Sequence, residues 1–125
     1  LKRVVFDAGA LIALERKDRR LLALADELIQ ARVAAHVPSG VVAQVWRGSA
    51  RQHAMMRLLR AEAIRVHPMS EAVAYRIGLL LASSRSADVV DGHVAILGRS
   101  LGAVVLTSDP ADLRRLDPEL DIVVV

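Results

Sequence analysis

A chain of 125 residues has single-domain size. Its 54% apolar content comes mainly from Ala, Val and Leu, with one Phe, one Trp and one Tyr, which suits helices packed on a parallel sheet. The absence of Cys excludes disulfides, thiolate metal sites and cysteine nucleophiles; no apolar run approaches the ~18 residues that cross a bilayer, no segment has a signal-peptide pattern, and a cytoplasmic protein is expected.

Val4-Val5-Phe6 predicts a buried strand over Lys2–Phe6, and the Ala/Leu-rich run behind it predicts a helix over Ala8–Arg16. Asp7 stands where one becomes the other, at the carboxyl end of a strand, where open α/β sheets place their ligand crevice. A second helix is expected over Arg20–Ala31, with Leu21, Leu24, Leu28 and Ala31 on one face. Val33–Val37 reads as a strand stopped by Pro38. Ser39 is the expected N-cap of a third helix through Val41, Val42, Val45 and Trp46. Gly48-Ser49 breaks that helix before a fourth, starting near Gln52, and Ile64-Arg65-Val66 reads as a third strand. Ser70 caps a fifth helix over Glu71–Ala82, followed by a loop over Ser83–Ser86. A sixth helix runs from about Asp88 to Leu101 and stops at Gly102. Val104–Leu106 is a buried strand, Ala111–Leu116 a short helix and Ile122–Val125 a last strand. Strands alternating with helices predict a three-layer α/β/α sandwich around a central, mostly parallel sheet.

The charges are unevenly placed. Residues 45–67 hold five arginines against Glu62 alone, a net of +4, with His53 and His67 beside them, while acids gather at Asp88/Asp91 and from Asp109 to Asp121. A basic stretch beside an acidic cluster suits a polyanion held near bound cations, although an Arg-rich helical surface is commonly just solvated.

Two strands end in matching chemistry, Asp7 after the first and Asp109 after Val104–Leu106. If both strands are central and parallel, their carboxylates share one sheet edge. Asp88 and Asp91, three apart at a helix start, can face the same side. Carboxylates that converge without a counter-charge raise one another's pKa, and a hard divalent cation such as Mg²⁺ or Mn²⁺ removes that penalty while keeping positions open for phosphate oxygens. Each acid also has a structural reading. Asp7 can cap its helix or form an Asx turn, Asp88 can cap the sixth helix, and Asp91 can favour the dipole there. Asp109 can cap Pro110–Leu116, with Asp112 at the third helical position. Capping and ligation are compatible, because a cap uses only one carboxylate oxygen.

The stretches Val5-Phe6-Asp7-Ala8-Gly9-Ala10-Leu11-Ile12-Ala13-Leu14, Asp88-Val89-Val90-Asp91-Gly92-His93-Val94-Ala95 and Val105-Leu106-Thr107-Ser108-Asp109-Pro110-Ala111-Asp112-Leu113 closely resemble PIN-domain ribonucleases. The nearest likeness is to the toxins of bacterial VapBC toxin–antitoxin pairs. The resemblance covers nearly the whole chain and implies a single PIN-like domain over residues 1–125, acting as a Mg²⁺- or Mn²⁺-dependent endoribonuclease. It assigns Asp7, Asp91 and Asp109 as catalytic metal ligands, Asp88 and Asp112 as accessory acids, and Thr107 or Ser108 as a supporting hydroxyl near substrate. It also implies an RNA substrate, a homodimer and a small antitoxin that blocks the acidic pocket. Metal-assisted hydrolysis is the implied mechanism. One position departs: where the family places a Glu on the third helix, this chain has Gln44, whose amide can coordinate through oxygen but brings no charge and cannot act as a base. A weakened or more Mn²⁺-dependent nuclease is therefore expected. The alternative is a PIN-like module that binds RNA or an antitoxin without turnover.

Trp46, Arg47 and Arg51 can form a stacking and phosphate-binding patch, with both arginines on one helix side, but a chain this poor in aromatics is expected rather to pack its one Trp in the core beside Val42. His53, His67 and His93 show no zinc-type spacing, and His36 is expected in the core or at an edge. Gly9 stands where haloacid-dehalogenase phosphatases need a second Asp, and Val66-His67-Pro68 lacks a receiver's phosphoacceptor.

Overall fold

The structure, a computed structural model, describes residues 3–125; Lys2, expected to begin the first strand, lies outside them. In chain order the elements are β1 (Arg3–Phe6), α1 (Ala8–Glu15), α2 (Arg19–Ala31), β2 (Ala34–Pro38), α3 (Ser39–Val45), a 3₁₀ turn (Ala50–Gln52), α4 (His53–Leu59), β3 (Ile64–His67), α5 (Glu71–Ser84), α6 (Val89–Leu101), β4 (Val104–Thr107), α7 (Pro110–Leu116) and β5 (Asp121–Val124). The strands form one sheet in the order β3-β2-β1-β4-β5, and every pairing is parallel. The expected α/β sandwich is therefore present, with β1 at its centre.

Alternation along the strands sorts the core into two layers. Val5 and Val105 are register partners on the face covered by α6. A Cβ built on Gly98 of that helix would come 2.7 Å from Val105 Cγ2, so α6 lies directly on the sheet. Val4 and Phe6 point to the other face, beneath α1, and all three β1 residues are fully buried. A buried parallel strand of this kind has no polar face, and its sequence shows none. Helices α5, α6 and α7 pack with one another, and α1 to α4 do likewise, which gives the three layers. No helix among the described residues is long and apolar enough to cross a membrane.

Three expected boundaries differ. Ser39 is not an N-cap but the first helical residue. Pro38 remains paired with His67 and takes the cap position at φ −62°, ψ 140° without a side-chain bond, so strand passes into helix with no intervening loop residue. The fifth helix continues through the expected loop to Ser84, because the Ser83 and Ser84 hydroxyls bond back to the Leu80 carbonyl at 3.0 and 2.8 Å and satisfy its last turn. Arg85 then ends it in the left-handed region at φ 55°. Finally, the stretch before the fourth helix is a separate 3₁₀ turn.

Candidate functional site

Strand order reverses between β1 and β4, since β1 leads to β2 on one side while β4 lies on the other. In parallel sheets such a switch point opens a crevice beyond the carboxyl ends of the strands. Asp7 leaves β1 at that place, and its backbone N–H donates to the Leu106 carbonyl at 3.2 Å. Asp7 Oδ1 accepts the Ala10 N–H at 2.9 Å, so the residue does cap α1. The side chain is only 7% exposed. Burial pushes its carboxyl up from the ordinary range and the Asp109 charge adds to this, while hydrogen bonds from the Thr107 hydroxyl and the Ala10 and Gly9 backbone oppose it.

Asp88 caps α6 by accepting the Asp91 N–H at 2.9 Å. Asp91, half-buried in the first turn, is pushed up to about 6, by burial first and then by the charges of Asp88, Asp7, Asp112 and Asp109. The fold thus brings the four other acids into electrostatic reach of the Asp91 carboxyl. None of the five forms a salt bridge among the described residues.

Asp109 precedes α7 but does not make the expected cap bond. Its backbone N–H is turned to Thr107 Oγ1 at 2.9 Å, and its exposed carboxylate stays free of the helix. Thr107 is fully buried between Asp7 and the Asp109 backbone, so the expectation that it touches substrate is corrected: its hydroxyl braces two acids instead. Ser108 is exposed and closely approached by α1. A Cβ on Gly9 would meet Ser108 Oγ at 2.0 Å and its backbone nitrogen at 3.2 Å, which is why glycine stands there.

Gln44 is exposed on α3, one turn beyond Gly40. A Cβ on Gly40 would lie 3.1 Å from Val90 Cγ2, so the first turn of α3 packs against the start of α6. Arg47 and Arg51 do not share a helix side as expected, because α3 ends at Val45 and Arg51 belongs to the 3₁₀ turn. The Arg47 guanidinium bonds the Trp46 and Ala43 carbonyls at 2.7 and 3.2 Å, which closes the end of α3. Arg51 lines a groove of about 430 Å³ with Arg16, Lys17 and His53. A second groove of about 490 Å³ runs from Gly9 and Ser108 past Ala13 to the same Arg16, with Asp18 also in its lining. Trp46 is not core beside Val42. Its backbone is extended at φ −71°, ψ 129°, which turns the ring off the Val41/Val45 stripe and leaves it 36% exposed.

The donor set Asp7, Asp91 and Asp109 has the hard oxygen chemistry that suits Mg²⁺ or Mn²⁺. Asp91 is raised first by burial and then by its neighbouring carboxylates, and a bound cation would relieve the second of these. As they stand, no three His, Asp or Glu side chains among the described residues are arranged to hold a metal ion.

One cluster was not foreseen. His36 Nδ1 and His67 Nε2 are 2.7 Å apart, and burial followed by the His67 charge lowers the pKa of His93 as well. His36 Nε2 and His93 Nδ1 are buried without a partner. Linear spacing carried no sign of this grouping, because it arises from the β2–β3 register, in which Pro38 opposes His67. Gln52, buried at the loop after α3, was likewise not singled out.

No protein-family profile matches the chain, and no curated protein matches it. Solved structures do. FitAB bound to an IR36 DNA fragment is similar over 96% of this chain and 93% of its own, with TM-score 0.67 and 16% identity. VapBC2 from Rickettsia felis, bound to a DNA fragment from their promoter, is similar over 98% of each chain, with TM-score 0.66 and 12% identity. PAE2754 from Pyrobaculum aerophilum is similar over 96% of this chain and 90% of its own, with TM-score 0.63 and 18% identity. Likeness at such identities speaks for architecture alone, and the architecture this chain shares with them is an α/β PIN-like fold.

Proposed function

We propose that the chain is a divalent-cation-dependent endoribonuclease and the toxin of a toxin–antitoxin pair. One observation carries this reading: Asp7 and Asp109 follow the two strands that meet at the sheet's switch point, and Asp91, in the first turn of α6, lies within electrostatic reach of both and of Asp88 and Asp112. Asp7, Asp91 and Asp109 are the proposed ligands, with Asp88 and Asp112 as accessory charge. Bound Mg²⁺ or Mn²⁺ would supply a water of lowered pKa and charge stabilisation at the scissile phosphate. The chain's own part is orientation. The α1 cap and the Thr107 hydroxyl fix Asp7, the Asp88 cap fixes the start of α6, and Thr107 also holds the Asp109 backbone. Gln44 offers a neutral oxygen on the α3 side, and Arg16 and Arg51 offer phosphate contacts along the flanking grooves.

A small antitoxin is the proposed partner, in line with the toxin–antitoxin proteins that share this fold. A second copy of the chain is the proposed cover for α5, where Tyr75 and Leu79 stand 68% and 74% exposed. Gln44 favours one other reading, a module that binds RNA or an antitoxin without turnover. Incubating unstructured RNA with the purified chain in Mg²⁺ and in Mn²⁺ separates the two. Cleavage abolished by Asp7→Asn supports the nuclease; intact RNA in both metals, in the absence of antitoxin, supports the binding module.

A further inference from the structure

Between α3 and α4 the backbone is held with more care than a connecting loop needs. Gln52 is 1% exposed, and both ends of its amide are used: Oε1 accepts the Arg47 N–H at 2.9 Å and Nε2 donates to the Val45 carbonyl at 2.7 Å. The residue between those two anchors is Trp46. Its own carbonyl is taken by the Arg47 guanidinium at 2.7 Å, and Gly48 at φ +69° completes the turn. A buried glutamine therefore pins the chain on both sides of the only tryptophan, while the indole itself remains 36% exposed. Such fixing removes the ordering cost that a mobile aromatic incurs on binding.

The surroundings indicate the occupant. Arg47 is next to Trp46 in the chain and Arg51 five residues on, and residues 45–61 contain no acid; Arg57, by contrast, is paired with Asp26, so Arg47 and Arg51 are the cations that favour an anionic ligand beside the indole. Trp46 also closes the helix whose first turn, at Gly40, packs against Val90 at the start of α6. Stacking on a fixed aromatic beside arginines is how proteins hold unpaired bases regardless of sequence.

We propose that Trp46 is a preorganised stacking platform for an unpaired nucleobase of the RNA, with Gln52 as its positioning residue. This rests on the nuclease reading and specifies its substrate as single-stranded at that point. Trp46 also supplies the assay, because all tryptophan emission of the chain comes from it. The protein is titrated in Ca²⁺ with an end-labelled unstructured RNA twelve-mer, reading label anisotropy and Trp emission together, and separately with inorganic polyphosphate. RNA is expected to quench the emission and polyphosphate to leave it unchanged. Trp46→Ala should weaken RNA binding roughly ten-fold or more, and Trp46→Phe, which keeps a stacking face, about three-fold at most. Gln52→Ala should weaken binding and blunt the quench while circular dichroism stays that of the folded protein.

RNA that binds by anisotropy without changing Trp emission, or that binds Trp46→Ala as tightly as the parent, overturns the platform and leaves the nuclease reading standing. Emission that responds to a co-expressed antitoxin and not to RNA also overturns it, reassigning the indole to protein docking. Failure of any RNA to bind overturns both.

Discussion

Thr107 shows how a single hydroxyl can serve two acids. It donates to Asp7 and accepts the Asp109 N–H, and it does so while fully buried. Thr107→Val keeps the shape and removes both bonds, leaving the buried Asp7 carboxylate without its hydroxyl donor and the part-buried Asp109 N–H without its acceptor. The expected cost is about 1–3 kcal/mol in urea unfolding. A change below a few tenths would show that solvent takes over these groups. Gln44 is the complementary case, an exposed neutral residue proposed to lie on the α3 side of the charged site. Gln44→Glu adds a carboxylate, so Mn²⁺ should bind more tightly and RNA cleavage should speed up, whereas in chelator the added repulsion should lower Tm. Unchanged metal affinity and cleavage would remove Gln44 from the pocket.

At the level of elements, α6 carries both the site and the closest packing. Gly92 would place a Cβ 2.9 Å from Ile77 Cγ2 of α5, and Gly98 would place one 2.7 Å from Val105 Cγ2 of the sheet. Gly98→Ala gains helix propensity but must push α6 outward. A net loss of roughly 1–3 kcal/mol is expected, measurable as a lower urea midpoint with unchanged m; a midpoint that rises would mean the sheet yields freely. Each strand and helix was legible from apolar period and punctuation, because Gly102, Ser70 and Asp88 act locally and the structure uses them as the sequence suggests. Boundaries set by non-local pairing were not legible: Pro38 keeps its strand partner and displaces Ser39 from the cap. The same limit governs the site. Asp7 and Asp109 follow strands whose order in the sheet can be inferred, so their meeting could be argued in advance. His36 with His67, the Gln52 clamp and the outward turn of Trp46 depend on register and side-chain reach, which no local pattern records.

For the whole molecule, the acids and the histidines give pH dependences of opposite sign. The folded carboxyl of Asp91, at about 6, lies above its ordinary 3.8. Its folded form therefore binds the extra proton, and the stability this contributes is fully present below 3.8 and lost as pH rises through about 6. Burial lowers His36, His67 and His93 below 6.5, with the His67 charge adding to the effect on His36 and His93. Their contribution is full above 6.5 and is lost as pH falls. His67→Gln, which removes the charge felt by both other rings, should flatten the loss of Tm on the acid side; an unchanged slope would contradict that origin. A divalent cation should cancel only the acidic penalty, so the Tm gain from Mn²⁺ should shrink as pH falls through about 6.

The claim on which the rest depends is that Asp7, Asp88, Asp91, Asp109 and Asp112 form one cation site. Calorimetric titration of Mn²⁺ into the purified chain at pH 7.5 tests it directly, with Asp91→Asn titrated alongside. Saturable binding by the parent chain, weakened at least about ten-fold in Asp91→Asn, is the predicted result. No saturable binding at millimolar Mn²⁺, or equal binding by both proteins, would contradict it.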